Sequence, residues 1–385
     1  MNIFIAAHYN LNNGDRAVLE STVKAIKRIK PDSSITVSSV APLRMKESRD
    51  YSVVGWPFNN KFSSAVWQEI NSGRMQDRLI KSISKKICNR KYLRELKKAD
   101  IVLVSGGHHL TDILGKKSYY HLCANFLLPI YLNKEVHLLP QSIGPAENDV
   151  IVKNIKAILE LSASVAFRDF SSEEFINSLN GNINAFEIPD LVYRLSPRPM
   201  LRKKDQVAVA LYHSYSSERR NILDITIPNL ESTIKYLLDK GRTVKIVPMD
   251  QGDDVYYEKI KASLDSCPNK HNFIFGESTN DIQDTINQFA EASCVIAYKT
   301  HASVFSMISE TPLVGVAYHP KTIEFMNSMG LMDYAISDRD ATADKLIDLI
   351  EKIEINYDEI RNKEHIGVAV HRSKIEKYLT QILNV

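Results

Sequence analysis

Cysteine is scarce in this chain, and the four that occur, Cys88, Cys123, Cys267 and Cys294, stand far apart. With no short paired spacing among them, neither a zinc site nor a disulfide framework is expected, and a reducing cytoplasm suits the chain best. Charge of one sign is also lacking. Lys and Arg number 49 against 46 Asp and Glu, a formal balance of +3, too weak a field for a nucleic-acid binder, so any basic partner surface has to be local. No apolar run approaches the roughly eighteen residues of a membrane-spanning helix. The opening "MNIFIAAHYN" lacks a basic leader and soon turns polar, so it reads as a first strand and not as a signal peptide. Short-period repeats and low-complexity tracts are missing too.

What is there is an ordinary globular composition, 44% hydrophobic and 25% charged over 385 residues, enough for two cores. Short β-branched runs alternate with longer amphipathic stretches: "NIFIAA", "SITVSSV", "ADIVLVSGG", "EVHLLPQSIG" and "SVAFRD", then "QVAVALY", "TVKIVPM", "NFIFG", "SCVIAYK" and "PLVGVAY". That rhythm predicts parallel sheets with helical crossovers. "SPRPMLRKKD" (196–205) carries two prolines and a basic cluster and reads as a linker. The expected class is α/β: a Rossmann-like domain over 1–195, the linker 196–205, a second Rossmann-like domain over 206–341 facing the first across a cleft, and closing helices over 342–385.

The strand ends carry the chemistry. "IAYKTHASVFSMISETPLVGVAYHPK" (296–321) places Lys299 and His301 between an apolar strand and a helix start, with Ser303 as the expected cap. The next strand ends in His319 and Lys321. Four cationic or titratable groups at one sheet edge, beside a helix N-terminus, favour a phosphate or carboxylate; the plainer reading leaves the lysines solvated and the histidines bonded to backbone.

Other loops are less specific. In "HYNLNNGD", Asn13 and Gly14 suit a tight turn, and Asp15 is placed either to cap the helix over Arg16–Lys30 or to orient a substrate hydroxyl. In "VSGGHHLTD", Gly106 and Gly107 let a ligand approach the main chain, at most one of His108 and His109 faces it, and Asp112 follows; no metal is implied. Ser142 and Gly144 end another strand, and Arg168 is either a guanidinium aimed at the cleft or a local partner of Asp169, with Ser171 capping the next helix. Residues 78–98 hold nine basic side chains and one acid, Glu95, interleaved with apolar ones; this reads as a solvated helix or a peripheral contact with an anionic membrane. "GWPFNNKFSSAVW" (55–67) is either a lid or acceptor platform or core packing of Phe62 and Trp67.

Taken together, "NNGD", "GGHHLTD", "QSIGP", "FRDFSSEEF", "PDLVYRL" and "KTHASVFSMISETPLVGVAYHPKTIEFMNSMGL" resemble, in order and approximate spacing from about residue 8 to 331, the polysaccharide pyruvyl transferase family. The resemblance implies a GT-B-like fold with the donor in the C-terminal domain. It implies transfer of pyruvate from phosphoenolpyruvate to two hydroxyls of a sugar, free or lipid-linked, as a cyclic ketal, with no cofactor beyond that donor substrate. On it, His301 is the expected general acid or base, with Asp15 and Asp112 as candidates to position the acceptor hydroxyls. Lys299, Ser303, His319, Lys321 and Arg168 are the expected donor contacts, and Asn13, Gly14, Gly106, Gly107, His108, Asp112, Ser142 and Gly144 line the surrounding loops. This chain departs from the pattern in having Lys299 where the family motif is Arg-x-His, and "ALYHSY" (210–215) where many members carry an arginine. Two other functions fit the same scaffold. One is a glycosyltransferase with a nucleotide-sugar donor, against which Phe305 stands where such enzymes often carry an acid; the other is a non-catalytic envelope-assembly subunit.

Overall fold

The computed structural model describes residues 1–8, 12–45, 48–57, 89–113, 123–211, 217–249, 252–279, 281–318 and 320–384. The chain divides into two compact units, Met1–Leu11 with Val18–Leu191 and Ser373–Val385, and Asn12–Ala17 with Val192–Arg372.

The first unit is built on seven strands, β1 (Asn2–His8), β2 (Ser34–Ser39), β3 (Ser52–Gly55), β4 (Ile101–Val104), β5 (Glu135–Gln141), β6 (Ser164–Phe167) and β7 (Ala185–Glu187), in the order β3-β2-β1-β4-β5-β6-β7. Every pairing is parallel. A parallel sheet is covered on both faces, so its inner strands read as unbroken apolar runs. Ile3 to Ala7 are each at most 1% exposed, and β4 is buried throughout. Helices α1 (Asn13–Ile29), α2 (Arg90–Lys98), α3 (Asp149–Leu161) and α4 (Phe170–Ser178) connect the strands. α3 starts where the Asn148 side chain accepts the Val150 and Ile151 N–H groups, and it lays Ile151, Ile155, Ile158 and Leu159 on the sheet. The described part of the basic segment, α2, buries Tyr92 and Leu96 in this core and leaves Lys97 and Lys98 exposed; residues 78–88 lie outside the described residues.

The second unit repeats the plan with β8 (Gln206–Ala210), β9 (Thr243–Ile246), β10 (Phe273–Phe275), β11 (Cys294–Ala297), β12 (Leu313–Ala317) and β13 (Ala335–Ser337), in the order β10-β9-β8-β11-β12-β13 and again parallel throughout. Its helices are α5 (Ser217–Asp239), α6 (Asp253–Ser263), α7 (Ile282–Ala290), α8 (Thr300–Ile308), α9 (Pro320–Ser328), α10 (Ala343–Ile355) and α11 (Tyr357–Leu383). In both sheets the strand order reverses once, beside β1 and β4 in the first and beside β8 and β11 in the second. Loops at the carboxyl ends of such strand pairs are where doubly wound sheets hold ligands. Among the described residues no helix is long and apolar enough to cross a membrane.

Several details differ from the sequence expectation. Three edge or near-edge strands, β3, β7 and β13, were not foreseen. The segment 196–205 belongs to the second unit, where Arg198 pairs with Asp284, Arg202 donates to the Ser309 and Glu310 carbonyls and Lys203 pairs with Glu291. The division falls after Leu191, and α11 runs through Arg372 with the second unit and from Ser373 with the first. Of "GWPFNNKFSSAVW", residues 58–67, including Phe62 and Trp67, lie outside the described residues.

Candidate functional site

The carboxyl ends of β11 and β12 are neighbours, with Ala297 opposite Gly315. Beyond β11 the chain passes Tyr298 and enters α8, whose N-cap is Lys299 in extended conformation, without a side-chain acceptor for the first-turn N–H groups. Ser303 is therefore not the cap expected for it. It sits inside the helix, fully buried, with its hydroxyl unpartnered among the described residues. The uncapped first turn, which contains His301, leaves backbone donors and the positive end of the helix dipole for an anion.

Lys299 has a partner that the sequence did not announce. Its Nζ lies 3.3 and 3.2 Å from Oδ1 and Oδ2 of Asp253, at the start of α6. The Lys299 side chain is 13% exposed and that of Asp253 not at all. Asp253 Oδ2 also accepts the Met249 N–H at 2.8 Å, tying the loop after β9 to the ion pair. Thr300 and Thr322 place their hydroxyl oxygens 3.2 Å apart, joining the starts of α8 and α9, and Lys321 lies half-buried in the first turn of α9. His319 lies outside the described residues, as do 212–215 of "ALYHSY".

The turn "NNGD" clusters with this unit. Asn13 Nδ2 donates to the Pro248 carbonyl and to Thr285 Oγ1, both at 3.3 Å. Space, not backbone conformation, demands glycine at 14, because a Cβ there would fall 2.4 Å from His301 Nδ1. Asp15 is not the helix cap; Asn12 Oδ1 accepts the Asp15 N–H at 2.9 Å, leaving the half-buried Asp15 side chain in the first turn of α1. Asn13, Gly14, Lys299 and His301 thus come together with Asp253, which sequence reasoning missed. The one clue was an acid at the start of a helix that follows a strand, in "PMDQGDD". Nearby Tyr298 does not compete as an acid near neutral pH, since burial, with Asp338 adding to it, pushes its phenol above the ordinary 10.

The remaining candidates form a separate network inside the first unit. The Arg168 guanidinium is almost fully buried and pairs with Asp190, not with the adjacent Asp169. It also donates to Ser142 Oγ at 3.3 Å and to the Gly107 carbonyl at 3.2 Å. Asp169 is the N-cap of α4, accepting the Ser172 N–H at 3.0 Å and the Ser142 hydroxyl; Ser171 has no capping role there. His108 Nε2 donates to the Gly144 carbonyl at 2.5 Å, which fixes its proton on that nitrogen. Asp112 Oδ2 accepts the Glu147 and Asn148 N–H groups at 2.6 and 2.9 Å. Gly106 is needed because a Cβ would lie 2.5 Å from the Pro140 carbonyl oxygen. These groups lace the loops after β4, β5 and β6 to one another, and their polar atoms are spent on that task. Among the described residues, no three His, Cys, Asp or Glu side chains converge in a way that would hold a metal ion.

Comparison with known proteins agrees with the two-sheet architecture. The UDP-GlcNAc 2-epimerase from Methanocaldococcus jannaschii matches with a TM-score of 0.55 at 11% identity, covering 91% of this chain and 92% of that one. Os79 from O. sativa, solved in complex with UDP, matches with a TM-score of 0.59 at 9% identity, covering 100% and 99%. At such identities the likeness is one of fold, two parallel-sheet α/β domains of GT-B type. In sequence, the amylovoran biosynthesis protein AmsJ of Erwinia amylovora is 20% identical over 406 residues, covering 97% of this chain and 96% of its own. The model of the polysaccharide pyruvyl transferase family matches residues 12–320, from the "NNGD" turn to the start of α9. The chain belongs to the polysaccharide pyruvyl transferase family and is a transferase.

Proposed function

We propose that this transferase moves the pyruvyl group of phosphoenolpyruvate onto two hydroxyls of one sugar, in a cell-surface polysaccharide or its lipid-linked precursor, and releases phosphate. The observation that carries this reading is His301 in the uncapped first turn of α8, its ring against Gly14, with Lys299 and Lys321 at the starts of two adjacent helices. An enol ether needs a proton on its methylene carbon before a hydroxyl adds, and a histidine imidazolium is a side chain able to supply one. In the proposed sequence, His301 protonates the methylene carbon and a sugar oxygen bonds to the adjacent carbon, losing its proton to the imidazole. The carbon–oxygen bond to phosphate then breaks and the second hydroxyl closes the ketal. Of the two hydroxyl protons, one replaces that given to the methyl group and the other leaves with phosphate.

The donor carries a phosphate and a carboxylate, and the α8 N–H groups, Lys321 and Lys299 are the groups placed to meet them. Because Asp253 already neutralises Lys299, the helix start carries more of the attraction. Asp15 is the acid we assign to the acceptor hydroxyls. Arg168 is left out of the donor site, its guanidinium being engaged by Asp190, Ser142 and Gly107. A nucleotide donor is disfavoured by Phe305, which is fully buried against Phe289 where such enzymes often carry a ribose-binding acid.

Calorimetric titration of phosphoenolpyruvate tests the site. Binding to the wild type, weakened about tenfold in Lys321→Ala (about 1.4 kcal/mol), supports the placement; undiminished affinity in the variant, or no binding to the wild type, refutes it.

A further inference from the structure

At the amino edge of the first sheet lies a cavity of about 540 Å³ bounded by the starts of β1 and β2, the segment leading into β3 and the end of α2. That is within the size range of small-ligand sites. Six hydroxyl-bearing residues line it, beside five charged ones. Ser33 lines it with a side chain that is buried and has no hydrogen-bond partner among the described residues. Thr36 Oγ1 and Ser52 Oγ lie 3.1 Å apart across adjacent strands, a pair able both to give and to accept hydrogen bonds. Tyr51 contributes the aromatic surface and Asp50 a carboxylate.

Three basic groups, Lys27, Arg49 and Lys98, share this wall. Lys27 Nζ is committed to the Ser33 and Pro31 carbonyls at 2.7 and 3.4 Å, and Lys98 to Glu95 at 3.2 Å. With those ammonium groups occupied, what remains is hydroxyls, the Asp50 carboxylate, the exposed Arg49 guanidinium and one ring. This set matches a neutral polyhydroxyl ring: carboxylate and hydroxyl oxygens take its O–H donors, serine and threonine O–H groups serve its oxygens, and an aromatic face covers its C–H surface.

We propose that this cavity binds a pyranose unit, giving the first unit a carbohydrate contact of its own. Its use, to retain a polymeric acceptor at a point away from the reacting sugar, rests on the proposed function; the binding itself does not.

Amide-resolved NMR of the full chain, titrated separately with D-glucose, D-galactose and N-acetyl-D-glucosamine to 100 mM and with inorganic phosphate to 20 mM, decides the matter. At least one sugar is expected to shift the Ser33, Thr36 and Tyr51 amides saturably, with phosphate leaving them in place. Thr36→Val and, separately, Tyr51→Ala should each weaken that binding at least fivefold while phosphoenolpyruvate affinity stays within twofold. The proposal is overturned if none of the three sugars shifts these amides, if phosphate alone does, or if both variants bind sugar as the wild type does. Sugar binding without any phosphoenolpyruvate binding would sink the proposed reaction and leave this site standing.

Discussion

Lys299 and Asp253 form a buried ion pair, Nζ to Oδ2 3.2 Å, at the mouth of helix α8. The family motif has an arginine where this chain has Lys299, and a guanidinium can grip an anion with two parallel donors. An ammonium is a point charge, and here it is already claimed by a carboxylate that also holds the Met249 N–H. The pair therefore acts first as a fastener between α8 and the loop after β9.

Breaking that fastener on one side strands a buried charge. Asp253→Ala is expected to destabilise the second unit by about 3–5 kcal/mol, whereas Lys299→Met with Asp253→Leu recovers most of the loss. Urea denaturation followed by fluorescence measures both. Equal losses for the single and double variants would show that the pair is not the source of the stability.

Gly14→Ala puts a methyl group where the His301 ring now lies, 2.4 Å from Nδ1. Glycine to alanine within a helix otherwise adds a little stability. Transfer activity is thus expected to fall at least tenfold with little change in melting temperature, and an active variant would mean that His301 does not act from its present position.

A different buried acid makes stability depend on pH. Glu364, on α11, is completely enclosed, and neither carboxyl oxygen has a hydrogen-bond partner among the described residues. Burial pushes its carboxyl well above the ordinary 4.5; Arg202 and Arg361 pull it down and Glu310 pushes it further up. A raised folded value means that the native state holds the proton more tightly than the unfolded chain does. The resulting stability is complete below about pH 4.5 and is lost as pH climbs through the folded value. Calorimetric melting across that range should show a downward slope in the wild type that is absent from Glu364→Gln; parallel curves would contradict it.

Much of this fold was readable because parallel strands buried on both faces leave unbroken apolar runs such as "NIFIAA" and "SCVIAYK". The strands that escaped, "SVVG", "AFE" and "AIS", are sheet-edge pieces of three or four residues, mostly only half-buried, and too short to carry a period. The placement of Lys299 and His301 after β11, and of Lys321 after the adjacent β12, was legible from apolar runs ending at helix starts. What could not be read were pairings set by strand order. Asp253 reaches Lys299 across 46 residues because β9 and β11 flank β8. Arg168 passes over its neighbour Asp169, which is engaged in capping α4, and finds Asp190 where the chain leaves β7.

Whether the α8 start binds phosphoenolpyruvate is decided by a thermal-shift comparison of the purified protein with millimolar phosphoenolpyruvate and, separately, with uridine and cytidine nucleotides. A ligand at about a hundred times its dissociation constant adds about 2.7 kcal/mol, a readable rise. Stabilisation by phosphoenolpyruvate and not by either nucleotide, diminished in His301→Ala, is the expected result. Stabilisation by a nucleotide alone would contradict it and assign the site to glycosyl transfer.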